Sequence, residues 1–115
     1  MTSEAQTQQE IRLAASAAGC TLFRNNIGGY QDASGRWIKY GVCNPGGSDL
    51  LGWLPVVITA DMVGRTVAVF TAIEVKAPRG RATDAQVNFI AAVIAAGGRA
   101  GIARSTDDLR AIVKG

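Results

Sequence analysis

The chain has 115 residues and a mass of 12.0 kDa, the size of one compact domain rather than a multidomain machine, since a single core serves about 100 to 200 residues. It is 48% hydrophobic and 18% charged with a mean hydropathy of +0.15, which excludes a disordered chain and supplies enough apolar material for a core. Twelve Lys and Arg oppose nine Asp and Glu for a net charge of +3 and a pI near 9.2; most of the cations are Arg, whose planar fork matches phosphate, so the balance leans toward an anionic partner without establishing one.

The spacing predicts a helix from about Thr2 to Ala18, with Ser3 as cap, abundant Ala and Gly19 as the stop. At about 100° per residue, Glu4, Gln8, Ile11, Ala15 and Ala18 share one stripe and Glu10 points away from it. Cys20 to Arg24 is a short strand, followed by the turn-rich Asn25-Asn26-Ile27-Gly28-Gly29. Asp32-Ala33-Ser34-Gly35 forms a turn before a strand from Trp37 to Val42, and Asn44-Pro45-Gly46-Gly47 breaks the chain. Leu51 to Thr59 and Arg65 to Lys76 are the most β-like stretches, and Asp61-Met62-Val63-Gly64 between them suggests a central hairpin. Pro55 marks an irregular or edge portion of the first.

Thr83 to Ala96 is a second helix, because Thr83 and Gln86 have capping-box spacing and Gly97-Gly98 ends it. Its apolar stripe is Phe89, Ile90, Val93 and Ile94, with Gln86 on the N-terminal extension of the same stripe. Arg99 to Ala103 is a last strand. Ser105 caps a final helix to Val113, with Asp107 and Asp108 in its first turn. The order is α-β-β-β-β-α-β-α, without internal repeat or linker.

The chain has no His, which removes the usual zinc sites, Ser-His triads and His general bases and leaves carboxylates, Lys or a hard metal for any chemistry. Cys20 and Cys43 read as small buried apolar residues in a reducing compartment. No run of about 18 uncharged apolar residues occurs, and Met1 to Glu10 is polar, so a soluble cytoplasmic protein with no membrane partner is expected.

Period-two geometry puts Glu74 and Lys76 on one face of their strand, with Ile73 and Val75 on the other. A carboxylate and an ammonium thus stand side by side at the end of an apolar run, as a salt bridge or as a working pair. Asp49, after Pro45-Gly46-Gly47-Ser48, begins the expected hairpin, whose register lets it reach Glu74. Two carboxylates and a backbone carbonyl make the oxygen-only set that Mg²⁺ or Mn²⁺ prefers. A turn or Asx cap is the alternative reading of Asp49.

Gly47-Ser48-Asp49, then 24 residues, then Glu74-Val75-Lys76, then a helix with Gln86 resemble the PD-(D/E)xK nuclease superfamily, with Ser48 where its name residue Pro would stand. More narrowly, the chain resembles the VRR-NUC (virus-type replication-repair nuclease) domain, particularly short stand-alone versions in phages. Glu4 and Gln8, Phe23-Arg24-Asn25-Asn26-Ile27-Gly28, Gly47-Ser48-Asp49-Leu50, Ile73-Glu74-Val75-Lys76, Thr83-x-x-Gln86-x-x-Phe89 and Gly97-Gly98 before Gly101 carry the likeness in order along nearly the whole chain.

The resemblance implies one nuclease domain over residues 1–115, a restriction-endonuclease-like α/β core whose central mixed sheet is flanked by helices. It implies metal-dependent hydrolysis of DNA phosphodiesters, with Mg²⁺ or Mn²⁺ and no organic cofactor. Asp49 and Glu74 would bind the metal, the Val75 carbonyl would add a ligand, and Lys76 would orient or help deprotonate the attacking water. Glu4 matches the family's first-helix acid and would hold metal-bound water or a second ion, and Gln86 would hydrogen-bond in the same pocket.

Arg24, Asn26, Arg36, Lys39, Arg79 and Arg81 are the candidate DNA contacts. Trp37 and Tyr40 read either as base-stacking rings or as packing residues. Branched DNA cut by a homodimer, in the host cytoplasm if the chain is phage-encoded, is the expected form. A non-catalytic DNA-binding or assembly module that keeps the fold, and a sequence-specific restriction-type enzyme, are the alternatives.

Overall fold

The structure, a computed structural model, describes residues 3–114, so Thr2 of the first expected helix lies outside the described residues. The chain divides into two compact units, Met1–Leu54 and Pro55–Gly115. The fold is mixed α/β, as expected, with helices beside antiparallel and parallel ladders.

In the first unit, helix α1 (Glu4–Ala17) opens on the capping box that Ser3 begins: Gln6 N–H donates to Ser3 Oγ at 3.1 Å, and Ser3 N–H donates to Gln6 Oε1 at 2.9 Å. Two otherwise unpaired backbone donors are thereby satisfied. Gln8 and Ala15 of the predicted stripe are half-buried, whereas Glu4, Ile11 and Glu10 are exposed. The helix packs on β1 (Thr21–Arg24).

β1 pairs antiparallel with β4 (Leu50–Trp53) in the register Thr21↔Trp53 to Arg24↔Leu50. Gly52 permits this close approach, because a Cβ there would stand 1.7 Å from the Thr21 carbonyl oxygen. Phe23 and Trp53 meet edge to face at 5.2 Å between ring centroids. Between them, β2 (Gly28–Gln31) and β3 (Trp37–Tyr40) form a separate hairpin, with Gly28 opposite Tyr40 and Gln31 opposite Trp37.

In the second unit, a 3-10 turn at Ala60–Met62 precedes β5 (Thr71–Val75), helix α2 (Asp84–Ala95), β6 (Arg99–Ala103) and helix α3 (Thr106–Lys114). β5 and β6 are parallel, from Thr71↔Arg99 to Val75↔Ala103, with α2 as the crossover that such a pair requires. α2 packs on both strands and buries Val93 completely. Ile112 of α3 lies against Gly101, 2.8 Å from where a Cβ would stand, so α3 covers the face of β6 that Gly101 shares with Ala103. Ser105 Oγ accepts from Asp108 N–H at 3.1 Å, the cap expected from the sequence.

Three expectations are corrected. β2 is a further strand, formed where a turn was expected, so the order is α-β-β-β-β-β-α-β-α. The central hairpin of 51–59 with 65–76 does not form: β4 stops at Trp53, two residues before Pro55, and takes β1 as partner, while β5 takes β6. Pro55 has no N–H to continue a ladder. The apolar residues beyond it, Val57, Ile58 and Val63, are exposed. Cys20 and Cys43 are free thiols, and Cys43 is exposed rather than buried.

The turn of the β2–β3 hairpin is organised by one carboxylate. Asp32 Oδ1 accepts from Ser34 Oγ at 2.7 Å, from Ser34 N–H at 2.9 Å and from Arg36 N–H at 2.9 Å. These bonds, the Ser34 hydroxyl first and the Arg36 amide next, hold the Asp32 carboxyl below its ordinary pKa. A depressed folded value means that the stabilisation is complete above the unfolded carboxylate value and is lost as pH falls through the folded one. Ser34→Ala is expected to move the Asp32 midpoint upward in an NMR pH titration; an unchanged midpoint would show that the hydroxyl does not set it.

Candidate active site

The crossover geometry decides what faces what in the second unit. Since Gly101 and its ladder partner Ile73 face α3, the alternate residues Ala72 and Glu74 face α2. Gln86 in the first turn of α2 therefore meets Glu74, its Nε2 donating to Glu74 Oε1 at 3.0 Å. Lys76, two residues along the strand, brings Nζ to 3.3 Å from the same oxygen. The two side chains are 20% and 32% exposed, sheltered enough for the pair to matter and open enough to reach a ligand.

Gln86 uses both halves of its amide. Its Oε1 accepts from Thr83 N–H at 2.9 Å, closing the capping box, while its Nε2 holds the carboxylate. One side chain thus both closes the helix cap and contacts the carboxylate. Among the described residues, Glu74 Oε2 receives no hydrogen bond. Ala72, Ile73, Ala85, Phe89 and Ile90 line, with Glu74 and Gln86, a cleft of about 260 Å³.

Lys76 N–H donates to Ala103 O at 3.1 Å and Arg99 N–H donates to Phe70 O at 2.9 Å. Alternation along a strand then turns the backbone groups of residues 70, 72, 74 and 76 toward β6 and those of 71, 73 and 75 away from it. The Val75 carbonyl thus lies on the edge of β5 where no strand of the described residues pairs. An uncommitted carboxylate oxygen and an open carbonyl are hard donors, the chemistry that Mg²⁺ or Mn²⁺ accepts. Within neither unit, among the described residues, do three His, Cys, Asp or Glu side chains gather.

Asp49 and Glu4 belong to the first unit. Asp49 is exposed, immediately before β4, and Glu4 is the exposed first residue of α1. With the expected hairpin absent, its register no longer argues for Asp49 opposite Glu74.

What holds the Asp49 backbone is Asn25, which sequence reasoning treated as part of a turn. Asn25 N–H donates to Asp49 O at 2.8 Å. Its Nδ2 donates to Val42 O at 2.9 Å and to Ser48 O at 3.1 Å, and its Oδ1 accepts from Val42 N–H at 2.8 Å. The partners lie 17 and 23 residues away, so only the Asn-rich turn hinted at them. Asn44 ties the same loop, donating from Nδ2 to Gly28 O at 2.7 Å and to Tyr40 O at 2.9 Å.

The candidate DNA contacts are distributed. Arg24, Asn26, Arg36, Lys39, Arg79 and Arg81 are all exposed. Arg36 Nε lies 3.5 Å from Asp32, and among the described residues the other four cations form no ion pair. Arg79 and Arg81 flank Gly80, whose N–H donates to Ala77 O at 2.9 Å and whose carbonyl accepts from Arg104 Nη2 at 2.8 Å. That clasp shapes the loop leaving β5.

The α/β fold thus presents an acid and a Lys two residues apart at a strand end, beneath a helix that grips the acid. The VRR-NUC domain model matches residues 6–107, and the chain belongs to that family. Membership makes it a nuclease domain of the PD-(D/E)xK type, with DNA as its partner. Comparison with curated proteins and with solved structures returned no match.

Asn25→Ala removes three side-chain hydrogen bonds to the exposed backbone groups of Val42 and Ser48, a loss of about 1 kcal/mol. The variant is expected to lower the urea midpoint and to speed amide exchange at Val42; unaltered exchange there would remove the clamp from the account.

Proposed function

We propose that the whole chain works as one divalent-metal-dependent DNA endonuclease, selective for branched DNA such as four-way junctions or flaps, in phage replication, recombination or repair. The supporting observation is the Glu74 carboxylate, gripped through one oxygen by Lys76 and Gln86 and open at the other, beside the Val75 carbonyl on an open strand edge. In this reading Asp49, Glu74 and the Val75 carbonyl hold Mg²⁺ or Mn²⁺, and Glu4 supports bound water or a second ion. When bound, such an ion polarises the scissile phosphate and stabilises its developing charge.

The chain's own groups do the rest. Lys76 orients the attacking water and offsets negative charge at the phosphate. Gln86 fixes the Glu74 rotamer, so the open oxygen needs no reorganisation when a ligand arrives. Arg24, Asn26, Arg36, Lys39, Arg79 and Arg81 contact phosphates, which gives affinity without sequence information. A four-way junction has two-fold symmetry, and a homodimer would match it with two active sites. No organic cofactor enters this chemistry, and no helix of the described residues is long and apolar enough to cross a membrane.

The test is cleavage of a labelled panel of four-way junction, flap, splayed arm and linear duplex, with Mg²⁺, Mn²⁺ or EDTA. Cuts are expected only with metal and chiefly on branched substrates. Glu74→Gln, Asp49→Asn and Lys76→Ala are each expected to slow cleavage at least about a hundredfold with folding and binding retained. Metal-independent cutting, or a fully active Glu74→Gln, overturns the mechanism. Binding without any cleavage would favour the non-catalytic module.

A further inference from the structure

The β2–β3 hairpin carries three exposed aromatic side chains outside the candidate active site, Tyr30, Trp37 and Tyr40. Its register, Gly29↔Lys39 and Gln31↔Trp37, puts Gly29, Gln31, Trp37 and Lys39 on one face and Gly28, Tyr30, Ile38 and Tyr40 on the other. On the second face the two tyrosines approach each other, with ring centroids 6.5 Å apart.

Tyr40 also covers Gly28 there; the first face sets a ring over a glycine too, but with a cation beside it. The Trp37 indole lies over Gly29: a Cβ at Gly29 would stand 2.5, 2.7 and 2.9 Å from its Cζ2, Cε2 and Nε1. One side of the ring is therefore set against bare backbone, yet Trp37 remains 62% exposed. Covering a glycine with an aromatic ring accounts for the contact, but it leaves the other side of the ring open. A ring so held loses little further freedom when a flat partner stacks on it.

Lys39 lies on that same face, directly across from Gly29, and forms no ion pair among the described residues. A planar apolar surface with a cation beside it matches a nucleotide, whose base stacks while its phosphate meets the charge. The other Trp, Trp53, is packed against Phe23 and offers no such surface.

We propose that Trp37 and Lys39 form a stacking platform for an unpaired DNA base, the base on the open side of the indole and a neighbouring phosphate on the ammonium. The proposal rests on the nuclease reading only in taking DNA as the ligand. Bases inside a duplex are already stacked on each other, so the platform selects single-stranded stretches such as those at flaps and splayed arms. Every base has a π face, so it selects them without regard to sequence.

The test uses the full chain in EDTA, where cleavage is not measured and binding stands alone. In Trp53→Phe, Trp37 is the one remaining indole. Its emission is expected to be quenched by an oligothymidylate of about 12 nucleotides, within the span of small single-strand sites, and left nearly unchanged by a blunt duplex of equal length. By anisotropy of the labelled strands, Trp37→Ala is expected to weaken oligothymidylate binding about tenfold, Trp37→Phe to restore most of it, and neither to alter duplex binding.

Circular dichroism confirms that each variant folds, and the quenching measurement needs no change at Trp37. Unquenched emission at saturating strand, absence of strand binding, or an equal loss of duplex and single-strand binding in Trp37→Ala overturns the platform. Quenching by a chain that cuts nothing in the presence of metal sinks the nuclease reading and leaves the platform standing.

Discussion

Two parallel strands cannot be joined by a tight turn; the chain must leave the sheet, cross it and return. In the second unit that constraint is met by α2, which runs from the end of β5 back to the start of β6. Its first turn is consequently delivered to the strand end where Glu74 stands, and the helix cap and the carboxylate come within reach of one Gln side chain. The cleft and the grip of Gln86 on Glu74 both follow from where the crossover begins.

The first unit solves a different problem, that of holding a loop without a ladder. Between β3 and β4 the chain makes few regular backbone pairs, and Asn25 and Asn44 replace them with side-chain amides. A primary amide carries a donor and an acceptor in the same arrangement as a peptide group, so it pairs with a backbone segment much as a strand would. Asn25 does so at Val42 while its own N–H extends the β1–β4 ladder to Asp49.

Features set by neighbours in sequence were legible. The Ser3 cap, the Thr83 capping box, the extent of β6 and the Ser105 cap all emerge as read, because each depends on residues within a few positions. The common face of Glu74 and Lys76 follows from strand period alone, and Gln86 follows from its place on a helical stripe.

Partner choice was not legible. Gly28 and Gly29 are poor strand formers, yet they pair with Tyr40 and Lys39 because cross-strand rings cover them. Leu51 to Thr59 reads as half of a hairpin, but Pro55 cuts it short and β1 takes its first residues as partner, with Gly52 set against the Thr21 carbonyl. Nothing local could assign Asn25 partners so far along the chain.

The double use of Gln86 has a dynamic consequence. Helix ends fray on the sub-microsecond timescale, and each opening of the first turn of α2 would withdraw the amide from Glu74. Thr83 thus governs, through the cap, how long the carboxylate remains in one orientation, although it does not touch it. Conversely, whatever engages Glu74 tightens the beginning of the helix, so occupancy of the cleft and order in that turn are thermodynamically linked and each reports on the other.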